Sequence, residues 1–467
     1  MKIRINIKGV IIAVIVLTTL ILFSESRKIE ADNNKQVLKQ TNYVNTFREL
    51  ENLLKKEHNT LNIVLESDIT CGNKTLYIEG NTNLDLNGHV LYKTGGKPLF
   101  YLGDKRKQEK IKLIEDLKIE PAKFPEDFIV KVENTESIKK GQRIYISDGS
   151  AGEKNIVSKV INKTSFLVKE RPNRIYKKST AKVEILSDKT GDITIKNGKI
   201  ENNKIKFDMT QSKGKESIIV SNYSSDIEIN NIKIVNKNYN QNSIGILKSE
   251  NVVLSNCRIE GGRNAVVVDS GSSMCKILGN TFYDCSGGVF LSGNNNLISD
   301  NVITASGATL NSGDGITILE SASFNIIKSN QILGGNCYGI WGLKGKRTGN
   351  SITDNVIQAN VTYGIYLEGG DGYLINNNKT ERNSGGICID QVTNSNISNN
   401  YVTNNLISGI SIGEKVKKCI IKNNTLSGNN YVDPDVAGYG GDVVVWGNPE
   451  DIIVEDNVAE QKMRKIE

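Results

Sequence analysis

The sequence predicts an all-β solenoid of stacked parallel rungs, and three observations carry the prediction. An Asn recurs about every 24 residues, at Asn231, Asn256, Asn280, Asn301, Asn330, Asn355, Asn378, Asn400, Asn424 and Asn457. A second series keeps the same beat: Gly245-Ile246, Ala265-Val266, Gly288-Val289, Gly315-Ile316, Gly339-Ile340, Gly364-Ile365, Gly386-Ile387 and Gly409-Ile410. Between them lie runs of four or five residues with period-two alternation, such as Gly364-Ile365-Tyr366-Leu367-Glu368. A repeat in the twenties made of short β runs buries its apolar face only against its neighbours, so the chain must coil.

Alternation marks half-buried strands, and each interval is too short for a strand-helix-strand crossover. Equivalent strands then stack parallel, about 4.8 Å apart. Inward positions form a column of Ile246, Val266, Val289, Ile316, Ile340, Ile365, Ile387 and Ile410. The Asn column falls where strands bend, because Asn tolerates left-handed φ and its amide can bond neighbouring backbone or the next amide in the stack. These Asn are therefore architectural.

The elements follow in order. Residues 1–26 carry Lys2, Arg4 and Lys8 before an apolar run from Val10 to Phe23, the layout of a secretory signal peptide or an N-terminal anchor. Residues 27–60 read as a polar linker and a capping helix over 44–57, with Val44, Phe47, Leu50, Leu53 and Leu54 on one face. Such a helix covers the open end of a solenoid. Residues 61–103 hold the first rungs. Residues 104–190 break the repeat with a Lys-rich, β-rich insertion, and 191–460 resume the coil. Two intervals are stretched, at Ala305–Gly313 and Gly428–Gly441. Loops on a rigid coil are where function is usually placed.

Ile63-Val64-Leu65 through Leu84-Asp85-Leu86-Asn87-Gly88-His89-Val90-Leu91, together with the repeats over 216–460, resembles the right-handed parallel β-helix proteins of the pectate-lyase-like group. The resemblance implies their fold and points to carbohydrate binding or cleavage. Fold alone does not fix chemistry.

Charge is divided along the chain. Residues 216–460 carry 16 Lys+Arg against 24 Asp+Glu, and the remainder 43 against 28. The basic remainder suits an anionic wall or membrane surface. Nucleic acid is not a partner this pattern suits, since no basic stripe interleaves with aromatics on the repeat. Seven cysteines at 71, 257, 275, 285, 337, 388 and 419 include no CxxC pair, and read as small side chains in solenoid columns.

Outward positions on the Gly-Ile strand give the candidate site. Trp341 and Tyr366 should be neighbours one rung apart, beside Glu368 and Asp390, also one rung apart. Aromatic faces suit the apolar hydrogens of sugar rings, and carboxylates accept from sugar hydroxyls. Two carboxyls about 5 Å apart also match a retaining glycosidase pair, which makes Glu368 and Asp390 the candidate catalytic dyad. Trp341, Tyr366, Asp314 and Lys344 are the candidate substrate contacts, with Lys346 and Arg347 near the same face. Against these readings stands the plain one, solvated side chains on an exposed ladder.

Several site patterns are missing. The only two His, His58 and His89, lie outside the repeat, and adjacent aspartates followed by Gly-His-Gly do not occur. Asp433-Pro434-Asp435 is similar to the Asp-Pro-His signature of alginate C5-epimerases but lacks its His. No metal or cofactor motif is present; Ca²⁺ is the ion that the acidic face could hold. The expectation is an exported, secreted or cell-surface protein that cleaves or modifies a polysaccharide on the outer face of the coil, as hydrolase, lyase or epimerase. The alternative is a non-catalytic glycan- or wall-binding surface protein. A phage tailspike-like depolymerase is a third reading that the export signal argues against.

Overall fold

The chain coils because each strand's backbone finds its partners one rung before and one rung after. A computed structural model describes residues 41–103, 109–118, 128–148, 152–172, 174–186, 191–206, 217–304, 313–430, 440–461 and 463–466. The expected signal or anchor, most of the polar linker, residues 305–312 and 431–439 of the two stretched loops, and Asp433-Pro434-Asp435 lie outside them. Three parallel faces wind around one apolar core. The first runs from Leu61–Leu65 to Ile453–Glu455, and the second from Ile69–Gly72 to Val458–Ala459. The third, of 13 strands, runs from Leu76–Ile78 to Arg464–Ile466. The long strands Ile193–Lys206 and Ser225–Asn238 pass through the corner between the first and second faces and join them. Most later strands are only three residues long, such as Ile340–Gly342, so the corners set the geometry.

Many corners use one device, a residue at left-handed φ followed by a buried Asn. Between the first and second faces, Asp300 (φ 59°), Ser329 (54°) and Asp354 (59°) precede Asn301, Asn330 and Asn355. The expectation that the column Asn itself bends left-handed is thus corrected. Asn231 and Asn256 do bend so, at φ 53° and 54°, but there the column place passes to Ile232 and Cys257. From Asn280 onward the amides form a chain: Asn330 donates its Nδ2–H to Asn355 Oδ1 at 3.0 Å, and Asn355 to Asn378 at 2.9 Å. The same Oδ1 also accepts the backbone N–H of the Asn below, and each Nδ2 reaches a carbonyl of the preceding rung, as Asn355 does to Ile327 O at 3.0 Å. The amide spans rungs and satisfies groups that a three-residue strand leaves orphaned.

The sequence reading identified one such ladder. Two more exist, Asn296–Asn325–Asn350 between the third and first faces and Asn336–Asn360–Asn383–Asn405–Asn429 between the second and third. Their spacing in the twenties was available to be read.

The apolar column of the third face is Ile219, Ile244, Val266, Val289, Ile316, Ile340, Ile365, Ile387, Ile410 and Val443. Ile246 pairs with Val268 rather than Val266, because alternation turns both Ile244 and Ile246 inward. At the N-terminal end the helix is Phe47–Leu54, capped by Thr46 and Glu49; Val44 lies in the strand before it. Leu50 is buried, and Phe47, Leu53 and Leu54 pack on the core.

Between 103 and 191 the insertion forms an antiparallel sheet ordered Lys110–Lys112, Lys182–Ile185, Arg143–Ser147, Gly152–Asn162, Ser165–Val168, Phe128–Lys131. Its two edges meet: Leu113 bridges Val132, and Ile114 N donates to Lys131 O at 3.1 Å. The sheet is therefore a small closed barrel with its own core of Ile111, Val130, Ile144, Phe166 and Val183. It docks through Tyr145, edge-on to Tyr223 at 5.8 Å, and through Glu184, which meets Lys110 at 3.0 Å and Lys248 at 3.5 Å.

Two substitutions test the corner device with opposite signs. Asn355→Ala strips partners from buried groups of Asn330, Asn378 and Ile327. It should cost about 3 kcal/mol, read as a lower urea midpoint; loss of one buried partner costs about 1–3 kcal/mol. Ala359 holds φ 57° at an exposed corner, where a residue with a Cβ is disfavoured by about 1 kcal/mol. Ala359→Gly should raise the same midpoint.

Candidate functional site

The outer side of the third face carries the candidate residues in register. Thr317, Trp341, Tyr366, Cys388 and Ser411 follow one another across successive strands, and Glu368 pairs with Asp390. Two further aromatics join them that alternation did not find, Tyr338 and Tyr363. Both stand one residue before the Gly of their rung, Tyr338 ahead of its strand and Tyr363 at the first position of Tyr363–Asp371, where the inward pairs Gly339-Ile340 and Gly364-Ile365 break the alternation. The phrase Tyr-Gly-Ile-aromatic, at 338–341 and again at 363–366, was the available signal.

The four rings form one continuous stack. Trp341 lies 5.0 Å from Tyr338 with planes 26° apart, Tyr338 lies 5.5 Å from Tyr366 at 21°, and Tyr366 lies 5.5 Å from Tyr363 at 25°. Near-parallel rings at that separation are offset-stacked, so part of each inner face is turned toward a neighbouring ring. This changes the expected use of Tyr366. Tyr338 and Tyr366 are the inner rings of the stack, and at its far end the Tyr363 ring leans over Gly385 of the next rung, which covers part of its outer side. All four rings are half-buried. Trp341 Nε1 is shielded from solvent and has no hydrogen-bond partner among the described residues.

Carboxylates surround the stack unequally. Glu368 and Asp390 are half-buried on adjacent rungs. Asp390 leans over Gly413, on the rung away from Glu368: a methyl group at 413 would lie 2.5 Å from its Oδ1. Its Oδ2 accepts from Gln391 Nε2 at 3.2 Å. Both acids act on the Tyr366 phenol, whose pKa is pushed up to about 12, first by burial, then by Cys388, Glu368 and Asp390. Asp314 is buried rather than presented, accepting from Thr317 Oγ1 at 2.8 Å and from Tyr338 N at 3.4 Å. It buttresses the rung that carries Tyr338. Lys344 and Lys346 are exposed in the turn after Trp341. Arg347 points inward: fully buried, it donates to Glu368 O at 3.0 Å and Gly369 O at 3.1 Å, and bonds Tyr373. It fixes the turn beyond Glu368 and does not face a ligand.

With that geometry in view, comparison places the chain. A family model described as the right-handed β-helix region matches residues 310–459, and one described as the periplasmic copper-binding protein NosD matches residues 196–378. The fold is that of the right-handed parallel β-helix proteins. It is 29% identical over 261 residues to a cell surface glycoprotein of Methanothermus fervidus, covering 48% of this chain. That match spans 42% of the relative's own length. Similar solved structures include the Dettilon tailspike protein (TM-score 0.49, 11% identity, 84% of this chain and 62% of that one). They also include the A-module of an Azotobacter vinelandii mannuronan C-5 epimerase (0.45, 9%, 90% and 95%). A third is the Streptococcus pneumoniae surface protein and adhesin PfbA (0.41, 12%, 87% and 91%).

Copper sites take thiolate, thioether or imidazole donors held together. Here Cys257, Cys275 and Cys285 are buried singly, their thiols against the carbonyls of Ser255, Ser273 and Tyr283. His58, outside the matched stretch, is engaged by Lys56 O and Thr82 Oγ1. No group of three or more His, Cys, Asp or Glu converges among the described residues. The described donors do not fit a copper centre.

Asp314 yields a pH test. Burial raises its pKa above the ordinary 3.8, with the bonds from Thr317 and Tyr338 opposing. The folded chain therefore holds a proton that the unfolded chain releases. The residue's unfavourable contribution grows as pH rises from that ordinary value through the raised one. Asp314→Asn should reduce the loss of stability as pH rises above the ordinary carboxyl value of 3.8, measured by urea midpoints; an unchanged slope would contradict the assignment.

Proposed function

We propose that this is an exported surface protein whose third face binds a glycan across the Trp341–Tyr338–Tyr366–Tyr363 stack. The observation that carries this reading is the stack itself, half-exposed on a rigid sheet and bordered by Glu368 and Asp390. The exposed parts of the Trp341 and Tyr363 rings take the apolar faces of sugar rings. The phenols and the two carboxylates bond hydroxyls. Lys344 reaches the same ligand from the turn. An extracytoplasmic location is supported by the cell-surface relative and the periplasmic family match.

A second reading keeps Glu368 and Asp390 as the catalytic pair of a polysaccharide hydrolase, and what favours it is their register on adjacent rungs. The lean of Asp390 over Gly413 separates it from Glu368 and favours binding instead. Ca²⁺ at the acidic edge would be needed for a lyase reading.

One experiment separates these. The protein is passed over a panel of immobilised polysaccharides, with and without Ca²⁺, while reducing ends and unsaturated products are followed. We expect retention on at least one polymer without new ends, weakened about tenfold by Trp341→Ala or Tyr363→Ala; tenfold corresponds to about 1.4 kcal/mol, within reach of one aromatic contact. Glu368→Gln should weaken it less. New reducing ends abolished by Glu368→Gln would establish the hydrolase, and unsaturated, Ca²⁺-dependent product would establish a lyase and remove the dyad.

A further inference from the structure

We propose that the inserted barrel docks the chain onto a bilayer containing anionic lipid, through an isoleucine-centred, lysine-rimmed surface on the side of the barrel opposite the coil.

The barrel's strand order fixes which side that is. The coil is contacted through Arg143, Tyr145 and Glu184, on Arg143–Ser147 and Lys182–Ile185, and through Lys154 near the start of Gly152–Asn162, at the end away from Ile161. In a closed ring of six strands the positions three places round from these are Phe128–Lys131 and Ser165–Val168. Those two strands are paired in register, Ile129 against Leu167, and Leu167 faces Lys159 on the next strand. Ile129 is 51% exposed, and Ile161 on that neighbouring strand is 44% exposed. Both lie on a sheet whose inward residues, Val130, Phe166 and Val168, are fully buried. The outward isoleucines are therefore surplus to the barrel's core.

Exposed lysines rim them. Lys159, Lys163 and Lys169 stand around the patch, while Lys131 is engaged by Glu115 at 3.0 Å. Over residues 104–190 there are 21 Lys+Arg against 14 Asp+Glu, the reverse of the acidic repeat that carries the barrel. The insertion as a whole is basic, and the exposed Lys159, Lys163 and Lys169 direct an anionic partner to this side. The isoleucines choose between anionic partners. A soluble polyanion offers nothing to an exposed β-branched side chain, whereas the interface of a bilayer takes the apolar tip while lysines meet the headgroups. Docked in this way, the barrel would hold the coil off the membrane with the third face free for glycan. That role is independent of whether the stack binds sugar.

The test is sedimentation of the full chain with vesicles of phosphatidylcholine alone and of phosphatidylcholine with phosphatidylglycerol. Each exposed lysine near an anionic surface contributes about fivefold in affinity, and three about a hundredfold. The expected result is preference for the anionic vesicles that falls with salt, and that drops by about a hundredfold in Lys159→Glu/Lys163→Glu/Lys169→Glu. Ile129→Ser/Ile161→Ser should lower affinity several-fold with the salt dependence kept. Both variants change exposed side chains, and an unchanged urea midpoint together with unchanged glycan retention shows that they fold. Equal binding of the charge-reversed and parent chains to anionic vesicles would overturn the proposal. So would binding to inorganic polyphosphate that is as tight as to vesicles and indifferent to Ile129→Ser/Ile161→Ser, because the partner would then be a soluble polyanion.

Discussion

From Asn280 onward the coil depends on the amide bridge from rung to rung. A three-residue strand satisfies few of its own backbone groups, and three corners per turn would leave many more unmet. A buried Asn at the corner closes that deficit, because one side chain accepts from the rung below, donates to the amide above and reaches back to a carbonyl. The chain is consequently rigid along its length, with local packing reproduced at every turn. Stability is shared between neighbours, so a defect in one ladder is felt first by the adjacent rungs.

Rigidity of that kind makes the third face useful. Side chains on successive strands keep a fixed spacing, so Trp341, Tyr366 and the two acids are held without support from a pocket. Tyr338 and Tyr363 enter the stack from just before the Gly of each rung, and Asp314 and Arg347 brace the turns from beneath. Offset stacking holds the rings against one another and leaves only their exposed parts for a ligand. Asp390 reaches outward only because position 413 is a glycine whose missing side chain would otherwise occupy that space.

How much of this could be read from the chain varied with the kind of signal. Period and alternation are local, so the coil, the outward register of Trp341, Tyr366, Glu368 and Asp390, and the breaks in the repeat were legible. Register was legible only to within one residue at Asn256 beside Cys257, and to within two at Ile246 against Ile244, where both candidates fit. Direction was not legible for Arg347 or Asp314, since charge in a sequence does not reveal whether a turn folds the side chain inward. Tyr338 and Tyr363 were missed because the consecutive inward pairs Gly339-Ile340 and Gly364-Ile365 break the alternation. Closure of the barrel was hidden as well: Leu113 and Val132 meet across its seam, and nothing in either segment names the other.

The central claim is that the ring stack contacts the ligand, and the chain's two tryptophans, Trp341 and Trp446, allow a direct check. Trp446 is bonded through Nε1 to Ser411 and can be replaced, leaving Trp341 as the reporter. Fluorescence of the Trp446→Phe chain would be followed while a retained polysaccharide is titrated. A saturable change in Trp341 emission, with the same midpoint as retention, is the predicted result. Full retention with Trp341 emission unmoved would place the glycan elsewhere and contradict the account.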